Sequence, residues 1–169
     1  MPEIYVIKFL DYSSKYGIGY LLSNGFCGVY FNDSTKIILN PISNVFYYKE
    51  KNISKDTKSN IECYNMKIYP DSLKKKVILL NDFKNYLIKE NENFVKTNKI
   101  NESDNKNEPF TFVKIWIGTE RGNLFQLTNK IIQFVFNDKT EIILTAKTKL
   151  CIYTDKNKVK TIYFKCIYC

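Results

Sequence analysis

The sequence predicts an α+β protein made of one antiparallel module written twice, and three observations carry that prediction. The phrase "FNDSTKIIL" at Phe31–Leu39 returns as "FNDKTEIIL" at Phe136–Leu144, 105 residues later in a chain of 169. Tyrosine (13) and phenylalanine (12) are abundant while glycine and proline are scarce, a composition that suits half-buried pleated surfaces. One stretch alone, "PDSLKKKVILLNDFKNYLIKEN" from Pro70, abandons two-residue alternation for helical spacing.

The repeat runs well past nine residues. Held at the same offset without gaps, Leu22–Asn52 lies over Leu127–Asn157 with 12 identities in 31 positions. Leu22/Leu127, Asn24/Asn129, Thr35/Thr140, Tyr48/Tyr153 and Lys51/Lys156 are among them. Convergent turn chemistry would account for "FND" but not for a register held across the whole window. Solenoid repeats have periods of about 20–50 residues, so two copies at this longer spacing predict two small domains and not an array.

The elements follow in order. Tyr16–Leu22, Phe26–Phe31, Thr35–Leu39 and Val45–Lys49 are short apolar runs separated by "SNG", "NDS" and "NPIS", the signature of an antiparallel meander. Asn32 and Asp33 tolerate turn conformations, and Thr35, Ile37 and Leu39 then share one face. Gly17, Gly19 and Gly25 match no phosphate-binding pattern and read as hairpin glycines. A further strand fits Asn60–Ile68. Pro70-Asp71-Ser72 opens a helix whose apolar stripe is Leu73, Val77, Leu80, Phe83 and Leu87. Asn91–Glu108 is polar and uneven, which predicts a linker. Strands resume at Phe112–Ile117, Asn123–Leu127, Ile131–Phe136, Thr140–Leu144, Leu150–Tyr153 and Lys160–Lys165. The expected organisation is a first module over 4–90, a linker over 91–110 and a second module over 111–169. The first module reads as sheet plus helix and the second as sheet alone, since the sequence stops at Cys169 before a helix could follow.

Composition narrows the function. With no histidine there is no Ser-His or Cys-His nucleophile and no imidazole base, so no enzyme and no cofactor are expected of this chain. Asp33 and Asp138 are repeated acids, but repetition inside a turn points to a structural task. Five irregularly spaced cysteines argue for reduced thiols and against a secreted disulfide framework. "CIYC" at Cys166–Cys169 has zinc-knuckle spacing but lacks a second pair, so no metal is expected. No run approaches the ~18 apolar residues a membrane helix needs, and "MPEIYVIKFL" lacks a basic segment and cleavage site; a soluble, intracellular protein is expected. The net charge of +9 comes almost wholly from dispersed lysines, with Arg121 the only arginine and "SLKKKV" the only tight cluster. Scattered lysines read as a solvated surface, so neither nucleic acid nor membrane is the expected partner.

Three segments go further: "KFLDYSSKYGIGYLLSNGFCGVYFNDSTKIIL", the helix "DSLKKKVILLNDFKNYL", and Trp116 in "FVKIWIGTERGNLFQL". Together they resemble the polo-box domain of polo-like serine/threonine kinases, covering the first box over about residues 5–88 and the second through Trp116, the "DxTxxIL" phrase and the strand rhythm. The resemblance implies two polo boxes, each a six-stranded antiparallel sheet with a helix, packed as a sandwich with a ligand groove between them. It implies a non-catalytic module that docks peptides bearing phosphoserine or phosphothreonine after a serine. It further implies phosphorylated substrates or scaffolds and the protein's own kinase domain as partners. Cytoplasm and nucleus, with the centrosome, spindle or kinetochore during mitosis, are the implied locations.

Carried onto this sequence, the resemblance assigns peptide contacts to Phe9 (where the family usually has tryptophan), Leu10, Asp11 and Tyr86. The phosphate pincer, usually His-x-Lys, falls on Lys139 and Glu141. A phosphate near −2 prefers paired cationic donors. Lys139 keeps one full charge, while Glu141 places an opposing one two residues away on the same strand. Unit charges at contact distance are worth ~1–4 kcal/mol in wet or interfacial surroundings, enough for Glu141 to offset Lys139. The alternative expectation is therefore a phosphate-independent docking or dimerisation module.

Overall fold

The computed structural model describes residues 4–51, 61–89 and 110–164. The expected linker, apart from its last residue, and the "CIYC" pair lie outside these. The chain divides into two compact units, Val6–Glu108 and Pro109–Cys169, the latter taking in Met1–Tyr5. The attachment of the N-terminal residues is visible in Asn129, whose Nδ2 donates to the Ile4 carbonyl at 2.8 Å, and in Lys160, whose Nζ stands 5.4 Å from the Tyr5 ring centre.

In the first unit β1 (Val6–Tyr12), β2 (Gly17–Leu22), β3 (Cys27–Phe31), β4 (Lys36–Asn40), β5 (Val45–Lys49) and β6 (Ile61–Asn65) pair in sequence order as one antiparallel sheet. A 3-10 turn at Asp71–Leu73 leads into α1 (Lys74–Lys89). Pro70 supplies an extended backbone at the helix entry, Asp71 an acid in the first turn and Lys89 a base in the last, each matched to the backbone charge at its end. The second unit repeats the sheet with β7 (Val113–Thr119), β8 (Gly122–Leu127), β9 (Ile131–Phe136), β10 (Glu141–Thr145), β11 (Leu150–Thr154) and β12 (Lys160–Phe164), again in sequence order. Among the described residues it has no helix. Both sheets and the one helix follow the expected α+β architecture. The run "VIKFLDY" joins the first meander as β1, ahead of the strands expected from spacing.

The duplication holds at atomic detail. Strands β2, β4 and β5 reappear as β8, β10 and β11 at an offset of 105 in both bounds. Both first strands carry a register shift at the same place, between Val6 and Lys8 and between Val113 and Ile115. The turns match as well. Ser34 and Lys139 have φ of 68° and 70°, and Asn44 and Lys149 have 52° and 53°. At the head of β2, Gly17 has φ 146° and a Cβ there would lie 2.1 Å from the Tyr30 carbonyl; Gly122 stands at 154° and 2.2 Å from that of Val135. Only glycine fits either place.

The repeated "NDxT" is explained by these turns. The Thr35 amide and hydroxyl both donate to Asp33 Oδ1, at 2.9 and 2.6 Å, and Thr140 does the same to Asp138 at 3.0 and 2.7 Å. Asn32 Nδ2 donates to the Ser13 carbonyl and Asn137 Nδ2 to that of Glu120, tying each turn to the adjacent hairpin. Both aspartates thus do the structural task their repetition suggested.

The first unit adds a cross-link that the second lacks in this form. Lys76 on α1 donates to Asp33 Oδ2 at 2.7 Å and to the Thr35 hydroxyl, and its Nζ lies 4.9 and 5.5 Å from the ring centres of Phe31 and Tyr48. Burial pushes the Asp33 carboxyl up, but hydrogen bonds from Lys76 and Thr35 outweigh it and hold the group below its ordinary value. The helix stripe predicted from spacing is the one buried: Val77, Leu80, Phe83 and Leu87 pack on Val29, Ile37, Leu39 and Phe46 and, at the far end, on Leu21 and Cys27.

Candidate functional site

Alternation along β1 separates the residues assigned to peptide contact. Leu10 pairs with Gly19 and faces the helix, where it joins both core clusters. Phe9 pairs with Tyr20 and is half-buried on the opposite face, which Asp11 shares. The exposed Asp11 carboxylate accepts the Ser13 amide at 2.9 Å.

On the helix side Leu10 meets Tyr86. The two line a cavity of about 380 Å³ with Tyr12, Tyr16, Phe83 and, as the only carboxylate among its lining residues, Asp82. Tyr86 is 48% exposed. The Lys8 ammonium stands 5.8 Å from the Tyr86 ring centre, and burial lowers its pKa. Tyr12 and Phe83 meet edge to face at 6.2 Å. A mostly aromatic wall beside one cation and one carboxylate suits an apolar or aromatic side chain of a bound peptide. The sequence held the signal for Tyr12 and Tyr16 inside "DYSSKYG" and for Phe83 and Tyr86 at i, i+3 on the helix. It gave no sign that these would share one cavity, because strand and helix are more than sixty residues apart in the chain.

Lys139 and Glu141 belong to the second unit. β10 begins at Glu141, so Lys139 is not on the same strand: it occupies the turn, at φ 70°, with an exposed side chain. Its amide donates to the Phe136 carbonyl at 2.9 Å, which fixes the backbone and leaves the ammonium to solvent. The Glu141 carboxylate accepts a hydrogen bond from Gln133 Nε2, and Gln133 is fully buried on β9. Spacing did not reveal that partner. Asp138 pairs loosely with Lys156 at 3.7 Å. Register also makes Trp116 the counterpart of Phe9: it pairs with Phe125, which stands 105 residues after Tyr20. The Trp116 indole donates to Asn123 Oδ1 at 2.9 Å.

Two copies of one six-stranded sheet, with an aromatic cavity against the first, define a module built by duplication. The chain matches the description "POLO box duplicated region" over residues 14–77 and 119–166 and belongs to that family. It is 39% identical over 160 residues to the probable serine/threonine-protein kinase CCRP1 of Zea mays, covering 95% of this chain and 25% of that protein. Against serine/threonine-protein kinase polo of Drosophila melanogaster identity is 36% over 161 residues, covering 93% and 26%. For PLK1 of Xenopus laevis it is 33% over 162 residues, covering 94% and 25%. The chain thus spans about a quarter of the length of these kinases, and their catalytic name belongs to the full-length proteins. Among solved structures the polo-box domain of budding-yeast Cdc5 superposes with a TM-score of 0.72 at 21% identity, over 96% of this chain and 64% of that one. The same domain bound to an Spc72 phosphopeptide also gives 0.72, at 23% identity, over 96% and 59%. The chain is a polo-box domain, a non-catalytic module.

Proposed function

We propose that this chain is the docking module of a serine/threonine kinase and captures partner proteins that carry phosphoserine or phosphothreonine. Phe9, Leu10, Asp11 and Tyr86 take the peptide, and Lys139 contacts the phosphate. The modules are the first box at 4–90 and the second at 111–169, joined by 91–110. The observation that carries the reading is the convergence of Leu10 and Tyr86, both assigned from sequence, on one aromatic cavity. The phosphopeptide complex of the Cdc5 domain supports the ligand class. In the full-length protein the module also contacts its own kinase domain and carries it to centrosome, spindle or kinetochore partners in cytoplasm and nucleus.

Glu141 favours a second reading, in which docking ignores phosphate. Its hydrogen bond to Gln133 occupies the carboxylate but does not remove its charge. Calorimetry with one Ser-pThr peptide and its unphosphorylated twin separates the two. The phosphorylated form is expected to bind at least tenfold more tightly, about 1.4 kcal/mol. Lys139→Ala is expected to erase that difference without changing the melting temperature, and Glu141→Gln to widen it. Equal affinities for the twins would establish the phosphate-independent reading instead.

A further inference from the structure

The cavity shared by Leu10 and Tyr86 carries a charge that its aromatic walls do not explain. Tyr12, Tyr16 and Tyr86 stand around it with 48, 43 and 48% of their surface exposed, and the buried Phe83 lies between them. That ring is fixed in place, since a Cβ on Gly19 would come within 2.2 Å of it and only glycine leaves it room. Two of the walls are held together by the turn after β1, where the Tyr16 amide donates to the Tyr12 carbonyl at 2.8 Å. Asp82 alone among the lining residues is charged. It is exposed, and its helix neighbours three and four residues away are Ile78, Leu79, Asn85 and Tyr86, none of them cationic. Yet the net charge is +9 and α1 carries five lysines. Those lysines lie elsewhere: Lys76 is bound to Asp33, Lys84 lies near Cys27, and Lys75 and Lys89 are each two turns, about 10 Å, along the helix. Lys8 stands over Tyr86, one turn beyond Asp82, and does not line the cavity.

We infer that this cavity takes an arginine side chain of the docked partner and that Asp82 thereby sets which sequences bind, an inference that rests on the peptide-docking reading above. A purely apolar group would use the aromatic walls and draw Asp82 partly out of water without a partner. An arginine uses both features. Its methylene stem suits Leu10 and Leu79, and its flat guanidinium stacks on tyrosine faces while donating two parallel hydrogen bonds to the carboxylate.

Other side chains fit less well. A lysine ammonium is a compact, strongly hydrated point charge that neither stacks nor forks. Methylated lysine is held by aromatic cages, and three of the walls here are nearly half open. An acidic side chain, or a phosphate, meets a like charge at Asp82. The cavity thus reads the charge opposite to the one assigned to Lys139.

The test scans a fluorescent Ser-pThr peptide, placing one arginine at each flanking position in turn against citrulline, which keeps the shape without the charge. At one position arginine is expected to bind about threefold to tenfold more tightly, the gain of an exposed ion pair joined to a cation–π contact. Asp82→Asn should remove that difference with an unchanged melting curve, because the position is exposed. A second measurement needs no phosphate: amide spectra of the protein titrated with N-acetylarginine methylamide or its citrulline analogue. Only the arginine compound should shift Tyr12, Tyr16 and Phe83. Equal affinities for arginine and citrulline at every position, or a preference that Asp82→Asn keeps, overturn the inference. Trimethyllysine binding more tightly than arginine makes methylated lysine the ligand and overturns it too. Failure of the phosphate reading looks different: phosphorylated and unphosphorylated twins then bind alike while the arginine preference persists. Where no peptide binds, the amide titration decides: shifts at the cavity sustain the inference and their absence overturns it.

Discussion

Leu39 and Leu144 close the same phrase in two copies of one sheet, at the same step of strands that pair in the same register, yet one is sealed in a core and the other is nearly half open. Local sequence cannot be the cause of that difference, because it is shared. The cause is α1, which packs on the first sheet and has no counterpart among the described residues of the second. Duplication has thus preserved the strand architecture while changing what lies on top of it. A face that is core in one copy is partly exposed in the other among the described residues.

The largest test of that contrast is truncation at the paired leucines. Leu39→Ala removes a fully buried side chain and is expected to cost about 2–5 kcal/mol, whereas Leu144→Ala should stay within about 0.5 kcal/mol, as surface changes do. Denaturant melts of both variants read the difference directly. Equal losses would mean that the second face is covered in solution.

A smaller effect is expected at the turn clamps. Lys76 joins α1 to Asp33 and Thr35 and lies against two rings, so Lys76→Ala is expected to cost about 1 kcal/mol, or ~2–4 °C in melting temperature. Lys156, 3.7 Å from Asp138 and open to solvent, should be replaceable by alanine without a measurable shift. Acid sharpens the comparison. The folded Asp33 carboxyl lies below its ordinary value, so its contribution is complete above about pH 4 and is lost as pH falls through the depressed value. Lys76→Ala should flatten that acid loss in a series of melts from pH 5 to pH 2, whereas Lys156→Ala should leave it in place.

Chemical labelling gives the mildest perturbation. Burial pushes the Cys27 thiol up to about 12, with Lys84 pulling slightly the other way. Its counterpart is the exposed Ile132. In Ile132→Cys protein at about pH 8, mass mapping should find the new cysteine modified quickly and Cys27 only after unfolding, because the thiolate is the reactive form. Comparable rates at the two positions would break the contrast.

Much of the candidate site was readable before the structure, though unevenly. Leu10 and Tyr86 could be named because each sits in a specific phrase, but their meeting at a cavity depends on strand and helix coming together across the fold. Lys139 and Glu141 could be named as an altered pincer. That one lies in a left-handed turn and the other is bound to a buried glutamine depends on where β10 begins and on a neighbour on β9. β1 was the least legible strand, since its register, with a shift between Val6 and Lys8, comes from pairing with β2.

What the sequence determined by itself was everything set within a few residues: the turns at "NDST" and "NDKT", the glycines at the heads of β2 and β8, the helical stripe, and through their repetition the existence of two copies. These depend on backbone conformation and side-chain period, which neighbouring residues control. Which face of each sheet is covered was decided only by tertiary structure. Burial depends on what packs against a surface from elsewhere in the chain, and that is why identical "IIL" runs end as core in the first sheet and as open surface at Leu144 in the second.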